Sequence, residues 1–224
     1  MIKAFVRFIF TRLGYEIRRS SLLDRPLAVQ QELSRLHTLP AGQPTTTEVL
    51  GRPLKIACPR AFPFLYTEIW EREIYRINRC KREGMMIDGG ANIGLGTLYF
   101  KKRYPSAKIV AIEADPNIAA MLRENLETFG FSDVEVINAA LAERPGTATF
   151  VSDPGGTGGR IEGAGGGVQV PAIVLSSLLD RSTDLLKLDV EGVEVAICER
   201  PSNAYVSSTI CLLSITRRLA GTRS

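Results

Sequence analysis

From residue 85 onward, short apolar runs alternate with amphipathic segments, and this alternation limits the fold more than any other feature of the chain. The apolar runs occupy residues 85–90 (MMIDGG), 108–113 (KIVAIE), 134–141, 184–190 (DLLKLDV) and 210–215. Runs of this kind are typical of strands buried on both faces of a parallel sheet. Strand, helix and strand in succession form right-handed βαβ units. The sequence therefore predicts a doubly wound α/β sheet.

The segments between the first three runs carry helix signals. Residues 93–104 are predicted to form a helix, which Pro105 ends. Asp115 and Pro116 supply an N-cap and a first-turn proline for the next helix, and Gly130 is placed to close it. Parallel strands need crossover connections of this kind, so the helix signals support the predicted sheet.

The chain divides into two predicted parts. Residues 1–83 form an N-terminal helical and irregular extension, and residues 84–224 form the α/β domain. Within the extension, residues 1–36 and 65–77 have helical character, whereas residues 37–63 contain five prolines and are predicted to be irregular.

A glycine-rich segment follows the third predicted strand. Eight of the fifteen residues at 153–167 are glycine, and the extended runs 147–151 and 168–175 flank them. We predict that the segment is mobile, either as a lid over a ligand site or as an unstructured linker.

Charge is distributed unevenly along the chain. Residues 1–84 contain 15 basic and 8 acidic side chains, against 13 and 16 in residues 85–224. A basic front half suits anionic lipid or an acidic glycan, or it is a solvated surface without a specific partner.

Residues 1–13 (MIKAFVRFIFTRL) are apolar but interrupted by basic side chains. We predict an amphipathic helix here rather than a membrane span or a signal peptide. The helix either packs against the body of the protein or makes peripheral contact with the inner membrane face. The four cysteines (Cys58, Cys80, Cys198 and Cys211) are far apart and the chain has one histidine. We therefore expect no metal site and a cytoplasmic location.

The strongest chemical signal is the loop DGGANIG at residues 88–94, directly after the first predicted strand. In a doubly wound sheet, ligands bind at the carboxyl ends of the strands. The nicotinamide fingerprint G-x-G-x-x-G fits no register here, and the lysine of a P-loop is missing. Asp88, Gly90, Asn92 and Gly94 match [DE]-x-G-x-[GN]-x-G, the pattern of loops that bind S-adenosylmethionine. A tight turn without a ligand is the alternative.

Two later strand ends carry further candidates. Glu113 ends the second predicted strand, where an acidic side chain can accept hydrogen bonds from both ribose hydroxyls of an adenosine. The alternative role, an acid at a helix N-terminus, already belongs to Asp115. Asn138 and Ala139 end the third strand, where small residues leave room for an adenine ring, although asparagine also favours turns.

The fourth strand carries three ionisable residues spaced two apart: Lys187, Asp189 and Glu191. Alternate residues of a strand share a face, so the three lie together if the strand continues through Glu191. They form either a self-satisfied ion cluster or a catalytic edge that orients and deprotonates an acceptor. Asp189 is the first candidate for a catalytic base, with Lys187 tuning its charge and Glu191 as the second candidate.

The motifs DGGANIGLGT, AIEADP, NAAL and LLKLDVEG, in this order and spacing, resemble the FkbM family of methyltransferases over residues 65–215. The resemblance implies a Rossmann-like class I fold in which residues 84–224 are the methyltransferase domain. It also implies S-adenosylmethionine as the methyl donor and hydroxyl groups as acceptors, often on sugars or polyketide-type molecules.

The resemblance assigns roles to individual residues. The loop residues named above would cradle the methionine part of the cofactor, Glu113 the ribose, and Asn138 with Ala139 the adenine. Asp189 and Glu191 would lie by the acceptor. We therefore expect an O-methyltransferase that acts on a sugar, a glycan or a small metabolite, with no nucleic-acid partner. An inactive cofactor-binding module and a nicotinamide-dependent sugar oxidoreductase are the alternatives.

The resemblance fades after residue 215. A class I methyltransferase sheet has seven strands and ends in an antiparallel hairpin, whereas residues 216–224 (TRRLAGTRS) have no strand pattern. The hypothesis is that the chain is truncated or altered in reading frame at its C-terminus. Its last strands would then be incomplete.

Overall fold

The computed structural model describes residues 25–77, 84–153, 158–162, 166–179, 183–190 and 209–212. Several sequence predictions fall outside these ranges. They concern the amphipathic helix at residues 1–13, Glu191, the C-terminal tail at residues 216–224 and parts of the glycine-rich segment.

Helices and strands alternate along the described residues as expected for an α/β protein. The helices are α1 (Leu27–Thr38), α2 (Phe62–Tyr66), α3 (Leu95–Arg103) and α4 (Pro116–Phe129). A π-helical turn, Thr67–Glu71, continues α2, and a 3-10 turn lies at Leu175–Ser177. The strands are β1 (Thr45–Thr47), β2 (Leu54–Ile56), β3 (Met85–Gly89), β4 (Lys108–Glu113), β5 (Glu135–Asn138), β6 (Ala140–Leu141), β7 (Gly146–Ser152), β8 (Gly159–Glu162), β9 (Val168–Ile173), β10 (Thr183–Leu188) and β11 (Thr209–Leu212).

The main sheet is parallel throughout and has the strand order β5-β4-β3-β10-β11. The chain proceeds from β3 outward through β4 and β5, and then returns to the other side of β3 with β10 and β11. This is the doubly wound order of a Rossmann-like sheet, and it confirms the predicted fold class. The strand order reverses between β3 and β10, where such sheets bind their ligands.

The helix predicted over residues 93–104 and the helix predicted after Asp115 are confirmed as α3 and α4. The Asp115 carboxylate accepts hydrogen bonds from the backbone N–H groups of Asn117 and Ile118, at 2.8 and 3.3 Å, as an N-cap does. Gly130 ends α4 with a φ of 78°, in the left-handed region that favours glycine.

The prediction of one strand over residues 134–141 is wrong. β5 ends at Asn138, and β6 leaves the main sheet to pair with β9. The Asn138 side-chain amide donates to the carbonyl oxygens of Glu113 (2.8 Å) and Ala114 (3.0 Å). These bonds fasten the end of β5 to the end of β4, and the chain turns away immediately afterwards.

A second, largely antiparallel sheet with the order β6-β9-β7-β8 is inserted between β5 and β10. Its strand β8 lies within the glycine-rich segment that the sequence predicted to be a mobile lid or linker. A Cβ atom at Gly159 would lie 2.5 Å from both the Phe150 ring and the Val151 carbonyl oxygen. Close packing thus requires glycine in this strand. Because glycine is uncommon within strands, the sequence pattern does not indicate β8.

The N-terminal extension is more regular at one place and less helical at another than predicted. β1 and β2 pair antiparallel within the region predicted to be irregular. The helix predicted over residues 65–77 ends at Glu71, because Glu73 adopts a left-handed φ of 51°.

Side chains of the extension share one apolar core with the sheet and with α3, including Leu36, Leu54, Phe62, Met86 and Phe100. Within the described ranges, no helix has the length and apolarity needed to cross a lipid bilayer.

Asn125 connects the extension to the start of α3. Its buried side chain accepts a hydrogen bond from the Lys55 N–H (2.8 Å) and donates to the carbonyl oxygens of Lys55 (3.0 Å) and Ile93 (2.9 Å). All three partners are backbone groups, so an asparagine amide, with both a donor and an acceptor, is needed here.

We expect Asn125→Ala to lower the free energy of unfolding by about 2–3 kcal/mol, because it leaves buried backbone groups unsatisfied. Urea denaturation followed by circular dichroism measures this change. Glu127→Ala, at an exposed position of the same helix, is the control and should change it by less than about 0.5 kcal/mol. Equal effects of the two substitutions would contradict the structural role of Asn125.

Candidate functional site

A pocket lies where β3, β4 and β10 end, at the reversal of strand order. Six of the ten residues predicted from the sequence to form the site line it: Gly90, Asn92, Glu113, Ala139, Lys187 and Asp189. They come from the ends of four different strands. The topology therefore brings three features around one cavity: the loop at residues 88–94 (the glycine loop), the acidic end of β4, and the Lys-x-Asp motif at residues 187–189.

The glycine loop is held in shape by backbone hydrogen bonds to the neighbouring strand. The N–H groups of Gly90 and Ala91 both donate to the carbonyl oxygen of Ile112, at 3.0 and 2.9 Å. Asn92 adopts a left-handed φ of 51°, and its side-chain oxygen accepts a hydrogen bond from the Ile93 N–H at 2.8 Å. Asparagine tolerates this conformation better than most residues, which accounts for its place in the motif.

Gly90 has to be glycine for two reasons. Its φ of 71° is left-handed, and a Cβ atom would lie 2.0 Å from the carbonyl oxygen of Asp189. Gly90 of the glycine loop therefore lies in direct contact with the backbone of Asp189. This contact fixes the backbone position of Asp189, the candidate base.

Glu113 is buried, with 8% of its surface exposed, yet it lines the pocket. One carboxylate oxygen accepts a hydrogen bond from the Asn92 N–H (2.8 Å), and the other accepts one from the Asp115 N–H (2.9 Å). Burial raises the pKa of Glu113 above its ordinary value, against the opposing effect of these two bonds. A carboxylate has about four acceptor positions, so both oxygens keep capacity for a further hydrogen bond.

Three predicted cofactor residues support the pocket from behind and do not line it. Asp88 is fully buried, accepts a hydrogen bond from the Thr97 hydroxyl (2.7 Å) and pairs with the Lys187 ammonium (2.9 Å). The expectation that Asp88 faces the cofactor therefore does not hold in this arrangement. Gly94 caps α3 with a φ of 90°, and Asn138 fastens β5 to β4 as described above.

The predicted alternation of Lys187, Asp189 and Glu191 on one strand face is not met, because β10 ends at Leu188. Asp189 lies just beyond the strand, and its N–H donates to the Gly89 carbonyl oxygen at 3.0 Å. Burial alone would lower the pKa of Lys187, but Asp88, Tyr75 and Asp189 together outweigh it and hold that pKa above its ordinary value. Lys187 thus stays protonated and cannot act as a base. Glu191 lies outside the described residues.

Two further walls of the pocket consist of residues that the sequence did not single out as site residues. The inserted sheet contributes Phe150, Gly158, Gly159 and Ile161, and the N-terminal extension contributes Ala61, Leu65, Ile69 and Tyr75. The Ser152 hydroxyl contacts the Asp115 carboxylate, which ties the end of β7 to the start of α4. The apolar periodicity that marked Leu65 and Ile69 was a usable signal for that wall. The glycine-rich pattern indicates either a lid or a linker, and Phe150 gives no signal, because its position depends on the inserted sheet.

The family model for the methyltransferase FkbM domain matches residues 88–215, more than half of the chain. The chain belongs to the FkbM methyltransferase family. The match spans the glycine loop, Glu113 and the Lys-x-Asp motif, so the resemblance seen in the sequence is confirmed. The N-terminal wall of the pocket lies outside the matched residues.

Individual relatives cover less of the chain. It is 36% identical over 92 residues to methyltransferase sdnD of Sordaria araneosa, covering 41% of this chain and 36% of that protein. It is 26% identical over 161 residues to methyltransferase 1 of Beauveria bassiana, covering 60% of this chain and 65% of that protein. The chain thus spans between about a third and two thirds of these curated relatives. The structure of a methyltransferase FkbM from Methylobacillus flagellatus aligns with a TM-score of 0.39 and 17% identity, over 54% of this chain and 29% of that one.

We expect Gly90→Ala to lower the free energy of unfolding by about 2–4 kcal/mol, from left-handed strain and from the clash with Asp189. Gly51→Ala is the matched control, since Gly51 has a φ of 83° and nothing within 4 Å of the added Cβ. The control should lose only the strain, about 1–2 kcal/mol. Denaturant unfolding of both variants measures the difference, and equal losses would show that the contact between the two loops is unimportant.

Proposed function

We propose that this FkbM-family chain transfers the methyl group of S-adenosylmethionine to a hydroxyl group of a sugar, a glycan or a small metabolite. One observation carries the proposal. The glycine loop and Glu113 line the same pocket and are joined by the 2.8 Å hydrogen bond from the Asn92 N–H to the Glu113 carboxylate. The family match supports methyl transfer over a nicotinamide-dependent reaction, and the loop lacks the nicotinamide fingerprint.

The residues around the pocket fit such a cofactor. Glu113 is a partly satisfied carboxylate with free acceptor capacity, as two vicinal ribose hydroxyls require. Beside it, Ala114 and Ala139 have small side chains that leave space for an adenine, and Phe150 is an apolar neighbour. On the other side, the backbone of the glycine loop would hold the amino-acid part.

When bound, the cofactor supplies a methyl group activated by its sulfonium. The protein's part is to place an acceptor oxygen and to take its proton. Asp189 lines the pocket next to the glycine loop, and its carboxylate is our first candidate for the group that accepts the proton. Lys187 attracts Asp189 electrostatically, so its positive charge would tune the charge of that carboxylate. Glu191 stays the second candidate for the base.

Calorimetric titration with S-adenosylmethionine, followed by a turnover assay over a panel of sugars and glycosides, tests the function. We expect saturable binding and release of S-adenosylhomocysteine with at least one hydroxylated acceptor. Binding without turnover on any acceptor would favour an inactive cofactor-binding module. Absence of binding, or preference for a nicotinamide cofactor, would contradict the proposal.

We expect Glu113→Ala to weaken S-adenosylmethionine binding by about 1–3 kcal/mol, the usual loss for a charged hydrogen-bonding partner. Glu135→Ala, at an exposed position on β5, removes the same charge away from the pocket and should leave the affinity unchanged. Calorimetry measures both. Unchanged affinity in Glu113→Ala would remove the ribose assignment.

The affinity should also depend on pH. Because burial raises the pKa of Glu113, this group takes up a proton at a higher pH than an exposed glutamate does. Protonation removes the charge-assisted hydrogen bonds, which are about twice as strong as neutral ones. Affinity is therefore expected to be highest above this raised pKa and to fall as the pH is lowered through it. The same titration in Glu113→Ala should lack this dependence, and a pH-independent affinity in the wild type would contradict the assignment.

Asp189→Asn should lower kcat by about 10²–10⁴-fold, the usual contribution of a general base, while it leaves cofactor affinity within a few-fold of the wild type. A steady-state assay with any acceptor found in the panel measures this. A kcat close to that of the wild type would contradict Asp189 as the general base and favour Glu191.

A further inference from the structure

Lys187 is a buried ammonium surrounded by three oxygens. It lies in register with Asp88 on the neighbouring parallel strand, and both side chains are buried. Its Nζ lies 2.9 Å from the Asp88 carboxylate, 2.7 Å from the Gly90 carbonyl oxygen and 3.2 Å from the Gly89 carbonyl oxygen. The ammonium donates hydrogen bonds to the two carbonyl oxygens, and the Asp88 carboxylate, at ion-pair distance, supplies its counter-charge.

The turn at residues 89–92 is consequently held from two sides. Lys187 holds the carbonyl groups of Gly89 and Gly90, which face β10. From β4, the Ile112 carbonyl oxygen holds the N–H groups of Gly90 and Ala91. The Gly89 carbonyl oxygen also accepts the Asp189 N–H, so the same carbonyl connects the ammonium to the residue after β10.

We propose that Lys187 is a positioning residue: its ammonium sets the shape of the glycine loop and fixes the point at which Asp189 leaves the sheet. The lysine acts through these two segments, since both of its hydrogen bonds go to the carbonyl groups of the glycine loop. The ligand-binding part of this inference rests on the proposed function, whereas the effect on the loop does not.

The neighbouring residues allow the positioning role to be separated from simple stabilisation. Thr97→Val removes the hydrogen bond to Asp88 and leaves the contacts of Lys187 intact. Asp88→Asn removes the counter-charge and leaves the ammonium on the two carbonyls. Lys187→Met combined with Asp88→Asn removes the ammonium without leaving a buried charge unpaired, so we expect the double variant to be at least as stable as Asp88→Asn.

Between Asp88→Asn and the double variant, the affinity for S-adenosylhomocysteine should then not follow the Tm of the full-length protein. We expect Thr97→Val to bind within about threefold of the wild type, and the double variant to bind at least about tenfold more weakly than Asp88→Asn although its Tm is at least as high. Affinities that follow the order of the Tm values, or a double variant that binds as Asp88→Asn does, would overturn the proposal.

Hydrogen exchange in the ligand-free protein tests the loop directly, even if S-adenosylhomocysteine fails to bind. In the double variant, the amides of residues 90–92 should exchange at least about tenfold faster, while those of β4 and α4 keep wild-type rates. If the double variant does not fold, Lys187→Arg serves in its place. Arginine keeps a charge for Asp88, but its planar fork cannot put one nitrogen between both carbonyls, so the same local increase is expected. Wild-type exchange at residues 90–92 in the folded variant would overturn the proposal, and a lack of ligand binding by the wild type alone would refute only the proposed function.

Discussion

The buried ion pair between Asp88 and Lys187 is the interaction on which the rest of the site depends. It joins β3 to β10 at the point where the strand order reverses, and it is in register across the two strands. Losing one partner of a buried pair costs about 3–5 kcal/mol, against about 1.5–3 kcal/mol for a hydrogen bond to a charged group such as that from Thr97 to Asp88. Two charged side chains in the centre of an apolar sheet are therefore tolerated only as a pair. Their pairing brings the glycine loop against Asp189.

The second constraint is a series of hydrogen bonds that connects the walls of the pocket. Ser152 contacts Asp115, the Asp115 N–H donates to Glu113, and Glu113 accepts the Asn92 N–H of the glycine loop. The inserted sheet, the start of α4 and the loop are thus connected through one carboxylate. Such a network places a charged acceptor at the pocket wall without leaving it unsatisfied. Without these hydrogen bonds, burial of the Glu113 carboxylate would cost more free energy. The raised pKa of Glu113 reflects the desolvation that remains.

The sequence predicts the main sheet well because its signals are local. The bounds of β4 agree residue for residue, since a β-branched run is followed directly by an acidic residue and an N-cap. The break at Asn138 was not predictable, because it depends on hydrogen bonds to the end of a strand 25 residues earlier. The same holds for Phe150, which reaches the pocket through the inserted sheet. Six of the ten predicted site residues line one pocket, but the motif could not show that Asp88 pairs with Lys187 rather than facing the pocket.

An experimental structure of the full chain with S-adenosylhomocysteine is the most direct test of the central claim, that the glycine loop and Glu113 together hold the nucleoside. We expect both ribose hydroxyls within hydrogen-bond distance of the Glu113 carboxylate and the amino-acid part against the backbone of residues 90–92. Asp88 should remain paired with Lys187. A nucleoside bound away from Glu113, or a ribose that contacts no carboxylate, would contradict the account.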